Sequence, residues 1–331
     1  MNIKATAFML ATALGATSLP IAAQEITWEL ANEYGKSSIM GVGDEAFIKA
    51  VDELSDGMIE VTPHYDGSIG YKSVDQFDAV GDGAIEIADT VMGAVAGIEP
   101  IFLLSSLPFI AGSDADAKLL FEVARPTYEE VFAKHNQVLL WATPWPPSGI
   151  WANSPITSQE ELAALKIRAW DPSGVQTMSN AGANAVQISW ADTVPQLASG
   201  AINAVLTSAD GGVSVKFWEF LSNFTAVNYS MALNMVHMNK DVYDSLTEEQ
   251  QQIVMQAAQV ASDAAWAELG KRIAKNYEEM RANGVEITES VSPEFRASLV
   301  DSGEQVYADW LEKTGETGQS LLDEYRSKLG Q

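Results

Sequence analysis

Short stretches in which apolar and polar residues alternate take turns along this chain with stretches whose apolar residues recur every three or four positions. The first kind predicts strands and the second helices. Residues 26–31 alternate Ile, Trp and Leu with polar partners and predict a strand. Helical spacing over 44–54 stops before Asp56-Gly57, and 58–65 predicts a second strand. A short helix at 74–80 and a strand at 85–88 follow, then helical segments at 114–123 and 127–134 and a strand at 138–142. Such alternation predicts an open, largely parallel sheet covered by helices.

The pattern restarts after a Pro- and Trp-rich linker at 143–149. A strand is expected at 166–170, and Asp171-Pro172 offers an N-cap and a proline at the first helical position. That helix runs to Asn180 and stops at Gly182. Strands at 185–188, 202–206 and 231–237 then alternate with helices at 191–198 and 213–221. Two α/β units in series predict two facing lobes, residues 24–143 and 144–240. Pockets in such folds lie between domains and at the carboxyl ends of strands. Thr247-Glu248-Glu249-Gln250 is a capping box, and helical periodicity continues from it to about Ala282. At about 1.5 Å per residue this helix is roughly 50 Å long. A lobe is only about 30–40 Å across. The fold expected is therefore α/β and two-lobed, with a long helix spanning both lobes. The remainder of 241–331, with helices at 293–313 and 319–328, packs on both.

Composition narrows the function. There are 45 Asp+Glu against 19 Lys+Arg, a formal charge of −26, which argues against a nucleic-acid partner. A hydrophobic content of 47% excludes a disordered acidic chain, and the absence of Cys excludes disulfides and thiolate chemistry. Lys4 is the only charge before Glu25. With the small apolar run at 5–19 and Pro20-Ile21-Ala22-Ala23, it reads as a secretory signal peptide over 1–23. His64, His135 and His237 lack metal-ligand spacing, and no G-x-S-x-G occurs. Gly41-Val42-Gly43-Asp44-Glu45-Ala46 imitates a dinucleotide fingerprint, but nine residues separate it from the strand ending at Ala31. No cofactor and no metal are expected. A secreted hydrolase using an acid pair between the lobes is the enzyme alternative.

Arg168 carries the most information. Between His135 and Asn239 the only Lys or Arg residues are Lys166, Arg168 and Lys216. Arg168 falls near the carboxyl end of a strand, where a guanidinium grips a carboxylate with two parallel hydrogen bonds. The plain alternative is a structural pair with Asp171. Trp141, Trp145, Trp151, Trp170, Trp190 and Trp218 gather around the linker and strand ends, as core or as pocket walls. With Asp89, Asp171, Asp192 or Asp210 such indoles would also cage a cation.

Several segments together are recognisable. Leu165-Lys166-Ile167-Arg168, Gly182-Ala183, the run from Gln196 to Ala204 (QLASGAINA) and Lys216-Phe217-Trp218-Glu219 resemble the DctP family. These are solute-binding proteins of tripartite ATP-independent periplasmic (TRAP) transporters. Met238-Asn239, Ser245-Leu246-Thr247, Gly67-Ser68-Ile69-Gly70 and Gly83-Ala84-Ile85-Glu86 fit the same pattern. The resemblance implies a periplasmic binding protein-like fold that closes on one small molecule. It implies delivery to the small and large membrane subunits of an ion-driven permease, from a monomer in the periplasm. It assigns the ligand carboxylate to Arg168 and an aromatic wall to Trp190. Thr207 stands where the family carries Asn, and Ser148 where some sugar-acid binders carry a second Arg, which argues against a large polyhydroxylated acid.

The resulting expectation is a small organic acid held by Arg168, Thr207 and Ser148 and walled by Trp145 and Trp190, with Tyr34 completing the set. The alternative is a small amine or zwitterion whose positive end meets Asp89 or Asp210. An ATP-driven importer's binding protein is a third reading, against which the long helix argues.

Overall fold

The computed structural model describes residues 26–330, so the leader expected over 1–23 lies outside the described residues. The first lobe opens with β1 (Ile26–Asn32), α1 (Ile39–Leu54), β2 (Ile59–His64), α2 (Ser73–Gly81) and β3 (Ile87–Val91). Two 3₁₀ turns, Met92–Val95 and Pro100–Ser106, lead to α3 (Asp114–Lys134) and β4 (Gln137–Pro144). The second lobe contains β5 (Ser148–Ala152), α4 (Gln159–Ala163), β6 (Lys166–Ala169), α5 (Pro172–Asn180), β7 (Asn184–Gln187), α6 (Trp190–Ala198), β8 (Ala204–Ser208), α7 (Ala209–Ser214) and β9 (Asn223–Thr225). The chain closes with β10 (Leu233–Asn239), α8 (Lys240–Asp244), α9 (Glu248–Ala282), β11 (Glu286–Thr288) and α10 (Pro293–Leu329).

The strands form two sheets, ordered β2-β1-β3-β10-β4 and β11-β9-β5-β8-β6-β7. The expected boundary at residue 240 is corrected here. β10 lies within the stretch assigned to the second lobe, yet it pairs with β3 and β4 of the first. β11, beyond that boundary, pairs with β9 of the second sheet. Each sheet also contains one reversed strand. β10 runs antiparallel to β3 and β4, and β5 antiparallel to β8 and β9. The cause is the path of the chain. The other strands that reach the cleft end there, whereas β5 and β10 each start there, directly after the chain has crossed from the other lobe. A strand that begins at the cleft must point away from it, and no helical crossover intervenes to turn it.

The segment expected as one helix over 213–221 is not one. α7 ends at Ser214, Lys216 takes a left-handed conformation (φ 56°), and only a 3₁₀ turn follows at Phe217–Glu219. The two helices expected between 114 and 134 are one, α3, which carries Pro126 inside it. The pseudo-fingerprint at Gly41 lies within α1, which begins five residues earlier than the pattern predicts. A Cβ at Gly41 would stand 2.2 Å from the Lys36 carbonyl oxygen, so that glycine answers to packing.

The long helix is as expected. Thr247 Oγ1 accepts from Gln250 N while Gln250 Oε1 accepts from Thr247 N, and α9 runs 35 residues from this box. It packs on α1 and β4 of the first lobe and on α7 and β11 of the second. Its buried face carries four Ala (257, 258, 261, 265) in its first half, which lets the helix lie close to its neighbours there. α10 breaks at Gly315 (φ 58°, ψ −137°), near where the sequence predicts a gap between two helices.

Candidate ligand-binding site

Carboxyl ends of β1, β3, β6 and β8 and the starts of β5 and β10 meet around a cavity between the lobes. Its inner void is about 300 Å³ and includes Tyr34, Trp145, Ser148, Arg168, Trp190 and Thr207 in its lining. An adjoining void adds Glu33, Gln187 and Ser189. Six of the eight residues expected at the site are thus brought together.

Arg168 is the penultimate residue of β6, a strand flanked by β7 and β8, and is only 2% exposed. Its Nε donates to the Ile188 carbonyl at 2.8 Å, which fixes the plane of the guanidinium. Its two terminal nitrogens make no hydrogen bond among the described residues. Burial pulls its pKa down, and Tyr34, Glu33 and Asp171 partly offset that. A guanidinium still holds its charge at any physiological pH. The alternative of a structural pair with Asp171 is not what forms. Asp171 caps α5 through Gly174 N at 2.8 Å, and burial raises its pKa to about 6. Arg168 Cζ lies 5.4 Å from the Trp190 ring centroid, a cation–π contact that holds both groups against the cavity.

The walls are aromatic. Tyr34 and Trp145 meet edge-on at 4.8 Å, and Tyr34 lies 5.6 Å from Trp190. Trp145 Nε1 is spent on Asn234 Oδ1 (2.8 Å), so the indole offers the cavity its apolar surface. Trp170 joins the lining and donates to Ser106 Oγ at 3.3 Å. The Ser148 and Thr207 side-chain hydroxyls, free of hydrogen bonds among the described residues, supply polar contacts.

Asp89 and Asp210 are elsewhere. Asp89 is fully buried behind the walls, held by Asn234 Nδ2 at 2.7 Å and by Asn32 Nδ2 at 3.3 Å. Burial is the main cause that raises its pKa to about 7. Asp210 receives Arg272 Nε at 2.5 Å, Asn276 Nδ2 at 3.1 Å and Ile39 N at 2.9 Å. That set ties α7 to α9 and α1, and leaves Asp210 engaged away from the cavity lining. The acid that does reach the void is Glu33, which the sequence reading did not single out. Its position directly after β1 was the available signal, because ligands enter α/β folds at strand carboxyl ends.

Comparison with known proteins agrees with this geometry. Residues 30–314 match the family model described as bacterial extracellular solute-binding protein, family 7 (DctP). The chain is 26% identical to the ectoine-binding periplasmic protein TeaA of Halomonas elongata, with 99% of this chain and 97% of that protein covered. The crystal structure of DctP6, a Bordetella pertussis extracytoplasmic solute receptor binding pyroglutamic acid, superposes with a TM-score of 0.87. Identity is 28%, with coverage of 91% of this chain and 99% of that one. A marine metagenome TRAP solute binding protein specific for pyroglutamate, with co-purified pyroglutamate, also gives 0.87 and 28%, covering 92% and 99%. Proteins of this kind bind small molecules and work with membrane permease subunits, and the enzyme alternative falls. With its two lobes closed on one small cavity and a family match over nearly all its described length, the chain belongs to the DctP family of solute-binding proteins of TRAP transporters.

Proposed function

We propose that this protein captures a compact cyclic carboxylate bearing an N–H group, of the pyroglutamate or ectoine kind, and hands it to the small and large membrane subunits of a TRAP permease. The leader expected over 1–23 supports export to the periplasm, where it would act as a monomer. The observation that carries the ligand reading is the pairing of Arg168 and Glu33 on one small aromatic cavity. The free terminal nitrogens of Arg168, with the Ser148 and Thr207 hydroxyls, suit a carboxylate. Glu33, whose two oxygens already accept the Ser73 and Ala191 backbone N–H groups, lends negative charge beside the void that favours an N–H donor, and the indoles and Tyr34 suit the faces of a flat ring. A simple amine leaves the buried Arg168 charge unanswered, so a zwitterion fits better than a cation. The named ligands of the similar proteins are of the same chemistry.

The test is thermal stabilisation and calorimetric titration with L-pyroglutamate, ectoine, lactate and a simple alkylamine. Pyroglutamate or ectoine should bind, and Arg168→Ala should abolish that binding. A protein that responds only to the amine, or an Arg168→Ala variant that keeps its affinity, overturns the reading.

A further inference from the structure

We propose that Asp44 and Asp89 are positioning residues for the cavity: a buried, proton-sharing pair that orients Asn234 and Asn32 and, through them, Trp145 and Tyr34. The inference rests on the cavity being the ligand site. Neither carboxyl lines it.

Asp44 on α1 and Asp89 on β3 are both inaccessible to solvent. Asn234 donates its Nδ2 to Asp89 Oδ1 at 2.7 Å. Asn32 donates its Nδ2 to Asp44 Oδ2 at 2.7 Å and to Asp89 Oδ2 at 3.3 Å. An amide whose nitrogen is held by an acid must present its oxygen on the opposite side. That oxygen is what each wall uses. Asn234 Oδ1 accepts the Trp145 indole N–H at 2.8 Å, and Asn32 Oδ1 accepts the Tyr34 backbone N–H at 2.7 Å. The two rings then meet edge-on at 4.8 Å. If either amide turned over, an N–H would face an N–H and the wall would lose its anchor.

Asp44 Oδ1 finds no partner among the described residues, and the two carboxyls are close enough for one nitrogen, Asn32 Nδ2, to reach an oxygen of each. Two buried acids so placed hold a proton between them, because both cannot ionise at that separation in a low-dielectric interior. Burial raises both groups above the usual carboxylate range. The other ionisable groups that bear on the pair are Glu45, next to Asp44 on α1, and Tyr65 and Tyr34. Tyr65 donates to Glu45 at 2.9 Å. On β10 the one ionisable side chain is His237, which bonds Thr90, and β4 carries none.

The experiment follows the indole N–H of Trp145 by ¹⁵N NMR in the full-length protein without ligand, with the peak assigned by Trp145→Phe. Between about pH 5 and pH 9 the wild-type peak should move in a titration step. Asp89→Asn should remove that step, and Asp44→Asn should shift it to lower pH by removing the neighbouring acid. Asp89→Ala, which leaves the Asn234 amide nitrogen unpartnered while Asn32 keeps Asp44, should displace the peak and weaken L-pyroglutamate binding about ten-fold or more. A wild-type peak that stays in place across this range, or a step that persists at the wild-type pH in both Asn variants, overturns the proposal. The spectra need no ligand, so they decide this point even if pyroglutamate does not bind.

Discussion

Glu33 Oε1 accepts the Ala191 backbone N–H at 2.9 Å, a bond that crosses from the first lobe to the start of α6 in the second. Its other oxygen accepts Ser73 N, at the start of α2, also at 2.9 Å. One carboxylate therefore sits on the N-terminal turns of two helices, one from each lobe, where their exposed N–H groups and dipoles favour an anion. The same contact is reinforced by Lys72 Nζ on Asp192 at 2.6 Å. These bonds exist only while the lobes are closed.

Glu33→Gln should therefore weaken closure. An amide keeps one acceptor oxygen but turns an N–H against the other backbone N–H. Charged hydrogen bonds contribute about 1.5–3 kcal/mol each, so affinity for the ligand should fall by about ten-fold or more. Small-angle scattering of the ligand-saturated variant should show a more open particle. Lys72→Ala removes only a half-exposed ion pair, of a kind worth about 0–1 kcal/mol, and should cost far less. Equal losses in the two variants would show that Glu33 is no more than another surface bridge.

Asp210 sets the second prediction. Arg272 lies on the buried face of α9, and Asp210 is its nearest acid at 2.5 Å. Asp210→Ala would leave that buried guanidinium only the Ser37 carbonyl and a looser 3.6 Å contact with Glu268, and removing one partner of a buried pair costs up to about 3–5 kcal/mol. Replacing both residues together, as Asp210→Ala with Arg272→Met, should cost less than the single change, because no unpaired charge remains. Urea unfolding midpoints of the three variants measure this. A double variant no more stable than Asp210→Ala would mean that the pair acts through packing alone.

Arg168, Trp190 and Trp145 were legible because each sits at a strand end or on the crossing between lobes, and position along the chain reveals that, whereas Ser148 and Thr207 came only from the resemblance to the DctP family. Carboxylates were not legible. Asp89 and Asp210 look in sequence like any of the 45 acids, and their roles are set by Asn234 and Arg272, 145 and 62 residues away. Glu33 differs from its acidic neighbours only in facing two helix starts, again a tertiary fact. That the sheets are largely parallel was legible, but the one reversed strand in each was not. Hydrophobic alternation marks a strand but carries no sign of which end meets the cleft, so β5 and β10 could not be oriented from pattern alone. The helix expected at 213–221 has the right periodicity, but a left-handed Lys216 overrides it.

His237 gives a prediction about acid stability. It is fully buried, and its Nε2 lies 2.9 Å from Thr90 Oγ1. Thr90 has one hydroxyl proton, and donates it to Gln76 Oε1 at 2.8 Å. It must then accept from the histidine, so the ring carries its proton on Nε2 while Nδ1 stays bare and unpartnered. Burial pushes the His237 pKa down to about 3. The folded value lies below the unfolded value of about 6.5. The stability involved is thus fully present above that pH and is lost as pH falls toward 3, by up to about 1.4 kcal/mol per unit. Asp89 works the other way. Its folded value is raised, so its contribution is largest below about pH 4 and is lost as pH rises through about 7. The two trends oppose each other between about pH 4 and pH 6.5, which flattens the wild-type profile. Urea midpoints measured across that interval should therefore fall more steeply with acid in Asp89→Asn than in wild type, and less steeply in His237→Gln. Parallel profiles for all three proteins would show that neither group is linked to folding in this range.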